Sequence, residues 1–396
     1  MVSMILVLAL AAGATGATTT ATTSSTSSLV FDISELDSKT LPCSDLNGFV
    51  NANWLAANPI PKDQTRWGTW DKLSEDSLNT QRDIVEAAAK NSSTAESGSI
   101  EQQIGYLYAA GMDTAAIERA GFTPIKPKLD AIASIKRTQD VVAYLTKSFA
   151  DGDMEVFDFG PFADFKNAKM QIAYTEEAGL GLPTKDYYFD PKYKDIRDAY
   201  LEHIAKALQL TGVSGADANK QAHQVLAFET ELARVSLTPV ERRNPENIYH
   251  FVSVREADKI TPHLRWEDFM KAQGVTVDKG FSLSQPKFMA EVDRLLASAP
   301  IDQWQSYLRF HVIHNASPFL SKAFQDNWFE FYGKTLTGQP EKEPRWKRVL
   351  GGVNDSMGEA LGQLYVAKVF QPGVEAACPG AGRPRPRRAE GPHPER

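Results

Sequence analysis

Apolar residues recur at helical spacing through most of this chain, and this periodicity limits the possible folds more than any other feature. One stripe recurs every four positions: Ile196, Tyr200, Ile204 and Leu208. A second stripe follows a 3-4-3 spacing: Val225, Phe228, Leu232 and Val235. Asp217 near the start of the second helix and Pro239 beyond its end are typical start and stop signals. We therefore predict that the chain from about residue 45 to 370 is mainly α-helical.

Further helical patterns occupy six ranges: 74–90, 100–119, 138–151, 286–297, 302–332 and 345–370. One region differs, because residues 156–165 and 170–174 are rich in aromatic side chains and are separated by Lys166-Asn167. This pattern is typical of a short β-hairpin. No repeat of fixed period is visible. The expected fold class is mainly α with a small β-hairpin.

Charge and cysteine content exclude several classes of protein. The formal net charge of the 396 residues is −7, and no long Lys/Arg stripe occurs before residue 380. We therefore expect no nucleic-acid partner. The chain has two cysteines, Cys43 and Cys378, which excludes a disulfide-dense scaffold and a four-cysteine zinc site.

The N-terminal region has the pattern of an exported protein. The apolar run at 4–14 is shorter than the roughly 20 residues that span a membrane, so it favours a signal peptide over residues 1–17. The segment before it, Met-Val-Ser, carries no Lys or Arg, and a mis-assigned start codon or a buried segment remains the alternative. A low-complexity linker is expected over residues 18–40. These features predict a secreted or periplasmic protein with no membrane span after removal of the signal.

The last 26 residues, 371–396, break the helical pattern. They contain six Pro and five Arg and show no apolar periodicity, so we expect a disordered tail. Two origins are open. The tail is either a natural basic extension, or an aberrant segment produced by a frameshift in GC-rich DNA.

A search for catalytic motifs finds no complete set. None of the seven histidines is followed by Glu, so the HExxH zinc motif is absent from this chain. His311 and His314 are spaced i,i+3 on an expected helix, and Glu330 is the nearest downstream carboxylate in an aromatic stretch. This metal signal is weak, and core or surface histidines beside Tyr307 and Phe310 are favoured.

One constellation resembles a binding site. Arg66 is closely followed by Trp67 and Trp70, and Asp71 lies five residues after it. The carboxylate of Asp71 could orient the guanidinium of Arg66 toward a carboxylate or a peptide carbonyl. From the residues alone, a structural salt bridge under a tryptophan lid is the favoured alternative.

Five motifs, in order from Pro42 to Phe370, identify a family. The chain resembles the neprilysin and endothelin-converting enzyme family of zinc metallopeptidases in its N-terminal region. The matching segments are PCSDLNGFVNANWL at 42–55 with RWG at 66–68, GLGLPTKDYY at 179–188, RRNPE at 242–246, PRWKR at 344–348 and ALGQLYV at 360–366. Asn244 stands where the family usually has Asp.

The resemblance implies a two-lobed, bacterial secreted enzyme. One lobe carries HExxH and zinc, and the other is a helical lobe that caps the active site. This chain corresponds to the capping lobe with the segment before it, over residues 41–370. Residues carried over from the family are Arg66, which binds the peptide on its primed side, and Asp71, which supports it. No catalytic residue and no metal ligand carry over.

The function expected from the resemblance is the substrate-capping part of a zinc metalloendopeptidase that hydrolyses peptides. Without HExxH, the chain alone is expected to bind no zinc and to be inactive. A separate zinc-lobe fragment is a possible partner. The alternative function is a non-catalytic secreted module that binds peptides or proteins.

Overall fold

Helices dominate the computed structural model, which describes residues 33–370. The signal peptide, part of the linker and the tail expected from the sequence lie outside these residues. The described residues form fifteen α-helices: α1 (Leu46–Ala57), α2 (Thr69–Asn91), α3 (Ile100–Met112), α4 (Thr114–Ala120), α5 (Lys126–Ala133), α6 (Thr138–Ala150), α7 (Asp186–Phe189), α8 (Lys194–Gln209), α9 (Gly215–Val235), α10 (Val254–Ile260), α11 (Trp266–Ala272), α12 (Pro286–Ser298), α13 (Ile301–Ala316), α14 (Lys322–Trp328) and α15 (Arg345–Val369). The prediction of a mainly α-helical fold is confirmed.

Residues 33–59 belong to a small unit of their own. The side chain of Asp45 caps α1 by accepting the backbone N–H of Gly48 at 2.8 Å. The amide nitrogen of Asn53 donates to the carbonyl of Leu36 at 3.1 Å, so the preceding segment folds back along the helix. No residue of α1 is buried.

Residues 60–370 belong to the second unit and contain the main core. Helices α8, α9 and α13 pack against one another. Tyr200, Ile204 and Leu208 on the first predicted stripe are fully buried, and the stripe on α9 buries Val225, Phe228 and Leu232. Helix α9 begins after the side-chain cap Ser214 and has Asp217 in its first turn. The helical periodicity therefore identified the buried faces.

A small sheet of four strands lies in the same unit: β1 (Phe157–Asp164), β2 (Asn167–Glu177), β3 (Phe251–Val252) and β4 (Phe281–Leu283). The strand order is β1-β2-β4-β3. Strands β1 and β2 pair antiparallel and form the hairpin predicted from the sequence. The hairpin does not stand alone, because β2 pairs in parallel with β4, and β4 pairs antiparallel with β3. Strands β3 and β4 have two and three residues, which is too short for an alternating pattern, so the sequence did not predict them.

A second, smaller core lies between α2, α3 and α15. Ile84 and Val85 of α2 meet Ile104 of α3, and Leu350 and Val353 of α15 complete the cluster. No helix within residues 33–370 has both the length and the hydropathy needed to cross a membrane.

Two predicted helices are broken in the structure. The 100–119 range divides at Asp113, whose side chain accepts the backbone N–H of Ala116 at 2.9 Å and starts α4. The 302–332 range divides at a 3-10 turn, Ser317–Phe319, because Pro318 lacks the N–H that a continuous helix needs. Beyond α14 the chain forms a π-helix, Phe329–Thr335.

Candidate substrate-binding site

Arg66 and Asp71 lie where the chain enters α2. Gly68 is the N-cap of this helix. Asp71 is the acidic residue of its first turn, where a negative charge interacts favourably with the helix dipole. Arg66 Nε lies 3.6 Å from Asp71 Oδ1. Arg66 and Asp71, which were predicted from the sequence to interact, are therefore close enough to do so. Asp71 can restrict the orientation of the Arg66 guanidinium.

The Arg66 guanidinium is open to solvent. Its side chain is 86% exposed, whereas that of Asp71 is 29% exposed. Trp70 is 80% exposed, so it does not cover the pair. The structure therefore does not show the alternative of a salt bridge under a tryptophan lid. An exposed pair of this kind adds little to stability, on the order of 0–1 kcal/mol, and leaves the N–H donors of Arg66 available to a ligand.

A buried lysine holds the segment that carries Arg66. Lys347 of α15 is 7% exposed, and its Nζ lies 3.0 Å from Asp63 Oδ2 and 2.7 Å from Glu75 Oε2. Burial lowers the pKa of Lys347, but the bonds to Glu75 and Asp63 outweigh it and the pKa is raised. The ammonium therefore stays charged and ties the segment on both sides of Arg66 to α15. The PRWKR motif contains no local signal for this role of Lys347, because its two partners lie far away in the sequence.

Backbone contacts support the same segment. The N–H of Glu341 donates to the carbonyl of Lys62 at 3.0 Å. The amide of Gln339 donates to the carbonyl of Asp63, also at 3.0 Å. The chain leading to Arg66 is thus fixed by hydrogen bonds to the chain leading to α15, while the Arg66 side chain itself extends into solvent.

We expect Lys347→Met to lower the free energy of unfolding by about 2 kcal/mol, because two partly buried carboxylates lose their shared cation. Urea denaturation measures this change. Lys72→Met is the matched control, since Lys72 pairs with Asp76 on the exposed face of α2, and we expect it to stay within about 0.5 kcal/mol of wild type. Equal effects of the two substitutions would contradict this role for Lys347.

The GLGLPTKDYY segment surrounds a buried carboxylate on α9. Glu229 is fully buried and accepts the hydroxyl of Tyr188 at 2.7 Å and that of Tyr200 at 2.9 Å. A Cβ at Gly181 would lie 1.8 Å from the Tyr200 hydroxyl, so only glycine fits there. Burial, and then the charge of Glu229, raise the pKa of both tyrosines, which remain donors. This motif therefore organises the core.

The weak metal pair from the sequence is not a site in the structure. His311 is buried, packs on Tyr307 and has its Nε2 2.9 Å from Glu229 Oε1, as a core histidine would. Glu330 instead pairs with Lys334 at 3.1 Å on the exposed side of the π-helix. Burial lowers the pKa of His314 to about 3, so this ring is neutral.

The RRNPE segment is also structural. Arg242 bonds the buried carboxylate of Glu177 at the end of β2, with Nη2 2.5 Å from Oε1. Asn244 accepts the backbone N–H of Glu246 at 3.1 Å, the interaction that Asp would make at this position. Asn244, which stands where the family usually has Asp, therefore stabilises the local turn in the same way.

Comparisons with known proteins agree with this architecture. The family model described as peptidase family M13 matches residues 42–377. Endothelin-converting enzyme 1 of Rattus norvegicus is 27% identical over 354 residues, which cover 85% of this chain and 45% of that protein. Neprilysin-3 of Drosophila melanogaster is 26% identical over 363 residues, with coverages of 85% and 45%. The crystal structure of the Mycobacterium tuberculosis zinc metalloprotease Zmp1 with an inhibitor superposes with a TM-score of 0.81 at 31% identity, covering 86% of this chain and 52% of that one.

The helical fold and the ordered motifs define the N-terminal region of a zinc metallopeptidase. The chain belongs to peptidase family M13. It spans about half the length of the curated relatives that it matches. The family is zinc-dependent, but within residues 33–370 no three His, Cys, Asp or Glu side chains are arranged to hold a metal ion. The residues in this range therefore do not fit a zinc centre.

Proposed function

We propose that this chain is the substrate-capping, N-terminal part of a neprilysin-type zinc metalloendopeptidase and that it is inactive alone. The supporting observation is the family match over residues 42–377 together with the absence of HExxH from the 396 residues. On this proposal residues 1–17 are a signal peptide, 18–40 a linker, 41–370 the capping region and 371–396 a disordered tail. The protein is then secreted or periplasmic.

Arg66 is proposed to bind the peptide, with Asp71 orienting it. An exposed guanidinium beside a half-buried carboxylate can donate N–H groups to a peptide carbonyl or to a terminal carboxylate. A peptide held by one exposed side chain keeps most of its water, and ligand sites need enclosing walls. Strong binding therefore requires the zinc lobe as the opposite wall.

Exposed apolar side chains support docking of such a lobe. Trp70 and Leu73 of α2 are 80% and 60% exposed, and Val366 and Val369 near the end of α15 are 49% and 43% exposed. Exposed apolar groups on α2 and α15, two of the three helices of the smaller core, are typical of a surface that a partner covers. A zinc-lobe fragment supplied separately is the proposed partner.

The test compares peptide hydrolysis by the chain alone with hydrolysis after addition of the separately expressed zinc-binding half of a family relative. We expect no hydrolysis by the chain alone, and activity in the mixture. Arg66→Ala should raise KM for a short hydrophobic peptide about tenfold. Arg137→Ala is the matched control, because Arg137 forms a similar exposed pair with Asp140 at the start of α6, and it should leave KM unchanged.

Two outcomes would contradict the proposal. Hydrolysis by the purified chain alone would show that it is not inactive. Tight peptide binding by the chain alone, lost in Arg66→Ala, would instead support the non-catalytic peptide-binding module.

A further inference from the structure

An open groove lies between α6 and the segment that leads into α11. Its volume is about 730 Å³, which falls within the roughly 300–1,000 Å³ of small-molecule sites. Val142 and Ala143 of α6 form one wall, and Pro262 and Leu264 form part of the other. These walls suit the apolar body of a small molecule, and the groove shares no residue with the Arg66 site.

The charged side chains that line the groove are already paired. They are Lys147, Arg265 and Asp268. Lys147 pairs with Asp151 one turn further along α6, and Arg265 pairs with Asp268 in the first turn of α11. Each cation thus has its own carboxylate, and the two pairs together carry no net charge. A charged ligand would lose water here without gaining a free counter-ion, so the groove favours an uncharged molecule.

A histidine with a fixed ring supplies a polar contact. Asp293 of α12, whose side chain is 9% exposed, accepts the backbone N–H of His263 at 2.8 Å and lies 2.8 Å from its ring Nδ1. An ionised carboxylate only accepts hydrogen bonds, so Nδ1 carries a proton. In the neutral ring, Nε2 is then an acceptor. The ring lines the groove and is 43% exposed, so this acceptor is available to a donor on a ligand.

The other uncharged polar groups of the lining are consistent with a ligand that donates. The hydroxyl of Thr138 donates to the carbonyl of Leu296 at 2.9 Å, which leaves its oxygen as a second acceptor. The side chains of Gln139 and Thr146 can both donate and accept, so they do not select between the two. The groove therefore favours an apolar molecule with a hydrogen-bond donor.

The backbone beside His263 is strained. Arg265 has φ 55° and ψ 67°, and among residues 33–370 it is the one non-glycine residue with positive φ. This left-handed conformation costs roughly 1–2 kcal/mol. Hydrogen bonds on both sides impose it, because Leu264 N–H donates to the Thr261 carbonyl and Trp266 N–H donates to Asp258. Strain of this kind is often found at ligand-binding positions.

We propose that this groove binds an uncharged apolar molecule with a phenolic hydroxyl. The apolar body lies along Val142, Ala143 and Leu264, and the hydroxyl donates to Nε2 of His263. A phenol is favoured over an alkanol because its hydroxyl is more acidic and therefore the stronger donor. The proposal does not depend on the function of Arg66 or on a zinc lobe.

The test is calorimetric titration of the full chain near pH 8, which favours the neutral imidazole over the imidazolium. The probes are para-butylphenol and para-butylanisole, which share an apolar body but differ in the hydroxyl donor. We expect saturable binding of the phenol and about tenfold weaker binding of the anisole. The anion para-butylbenzoate should also bind more weakly than the phenol, because the cations of the lining are paired.

Two substitutions test the geometry. His263→Asn keeps an N–H that can donate to Asp293 but has no acceptor in place of Nε2, so it should lower the affinity for the phenol about tenfold, to that for the anisole. Ala143→Trp fills the groove from an exposed position of α6 and should abolish binding of both compounds. His250→Asn is the matched control, because His250 is exposed and does not line the groove; it should bind both compounds as wild type does.

Thermal unfolding of each variant shows whether it is folded. No saturable binding of the phenol, equal affinity for the phenol and the anisole, or tighter binding of the benzoate would each overturn the proposal. A preference for the phenol that persists in His263→Asn would overturn the assignment of Nε2 as the acceptor. Undiminished binding in Ala143→Trp would show that the compounds bind outside the groove.

Discussion

Glu229→Leu is expected to lower the free energy of unfolding by about 4 kcal/mol, the largest effect of any single substitution considered for this chain. The carboxylate is fully buried and accepts bonds from Tyr188, Tyr200 and His311. Leucine matches the apolar surroundings but accepts none of these bonds. Buried polar groups that lose their acceptor retain the full cost of leaving water.

Urea denaturation of the variant and of wild type measures this loss. Glu231→Gln is the control on the same helix, since Glu231 makes exposed pairs with Arg234 and Arg294; we expect a change within about 0.5 kcal/mol. Tyr200→Phe should cost stability in wild type but little in the Glu229→Leu background, because the unpaired hydroxyl is gone. Additive losses would show that Glu229 does not act through its hydrogen bonds.

Glu229 illustrates how much of a buried polar site can be predicted from one sequence. Its helix was predicted from the stripe that includes Val225 and Leu232, and Glu229 lies four residues after the first of these and three before the second. A carboxylate on the apolar face of a helix indicates a buried polar site. The pattern could have identified Glu229, but its partners Tyr188 and His311 come from α7 and α13 and depend on tertiary packing.

Contacts between distant segments account for most of what the sequence did not reveal. Lys347 meets Asp63 across 284 positions of the chain, and no local pattern records such a distance. The pairing of β2 with β4 likewise joins Tyr174 to Ser282. By contrast, Arg66 and Asp71 are five residues apart, so their proximity was predictable once a helix start was placed between them.

A buried glutamate should make stability fall as pH rises. Burial raises the pKa of Glu155 to about 7 from its ordinary value of 4.5, and bonds from Ser148 and Tyr144 and the charge of Lys128 only partly oppose it. The folded chain therefore holds this proton more tightly than the unfolded chain. The associated stability is fully present below the unfolded pKa, and is lost as pH rises from about 4.5 to about 7.

Glu155→Gln mimics the protonated carboxyl and removes this dependence. Relative to wild type, the variant should be more stable by about 3 kcal/mol near pH 8 and nearly unchanged near pH 4, from a shift of about 2.5 pKa units. Urea denaturation at both pH values gives the difference in free energy of unfolding between the variant and wild type. Burial also lowers the pKa of His203 to about 4, which affects stability at acid pH. This effect is the same in both proteins and cancels in the difference. Glu176→Gln is the control, because Glu176 is exposed on β2, and we expect it to change the free energy of unfolding by no more than about 0.5 kcal/mol at either pH. A difference for Glu155→Gln that is the same at both pH values would mean that Glu155 is ionised in the fold at neutral pH. Its unpartnered Oε2 would then have to accept a hydrogen bond from water.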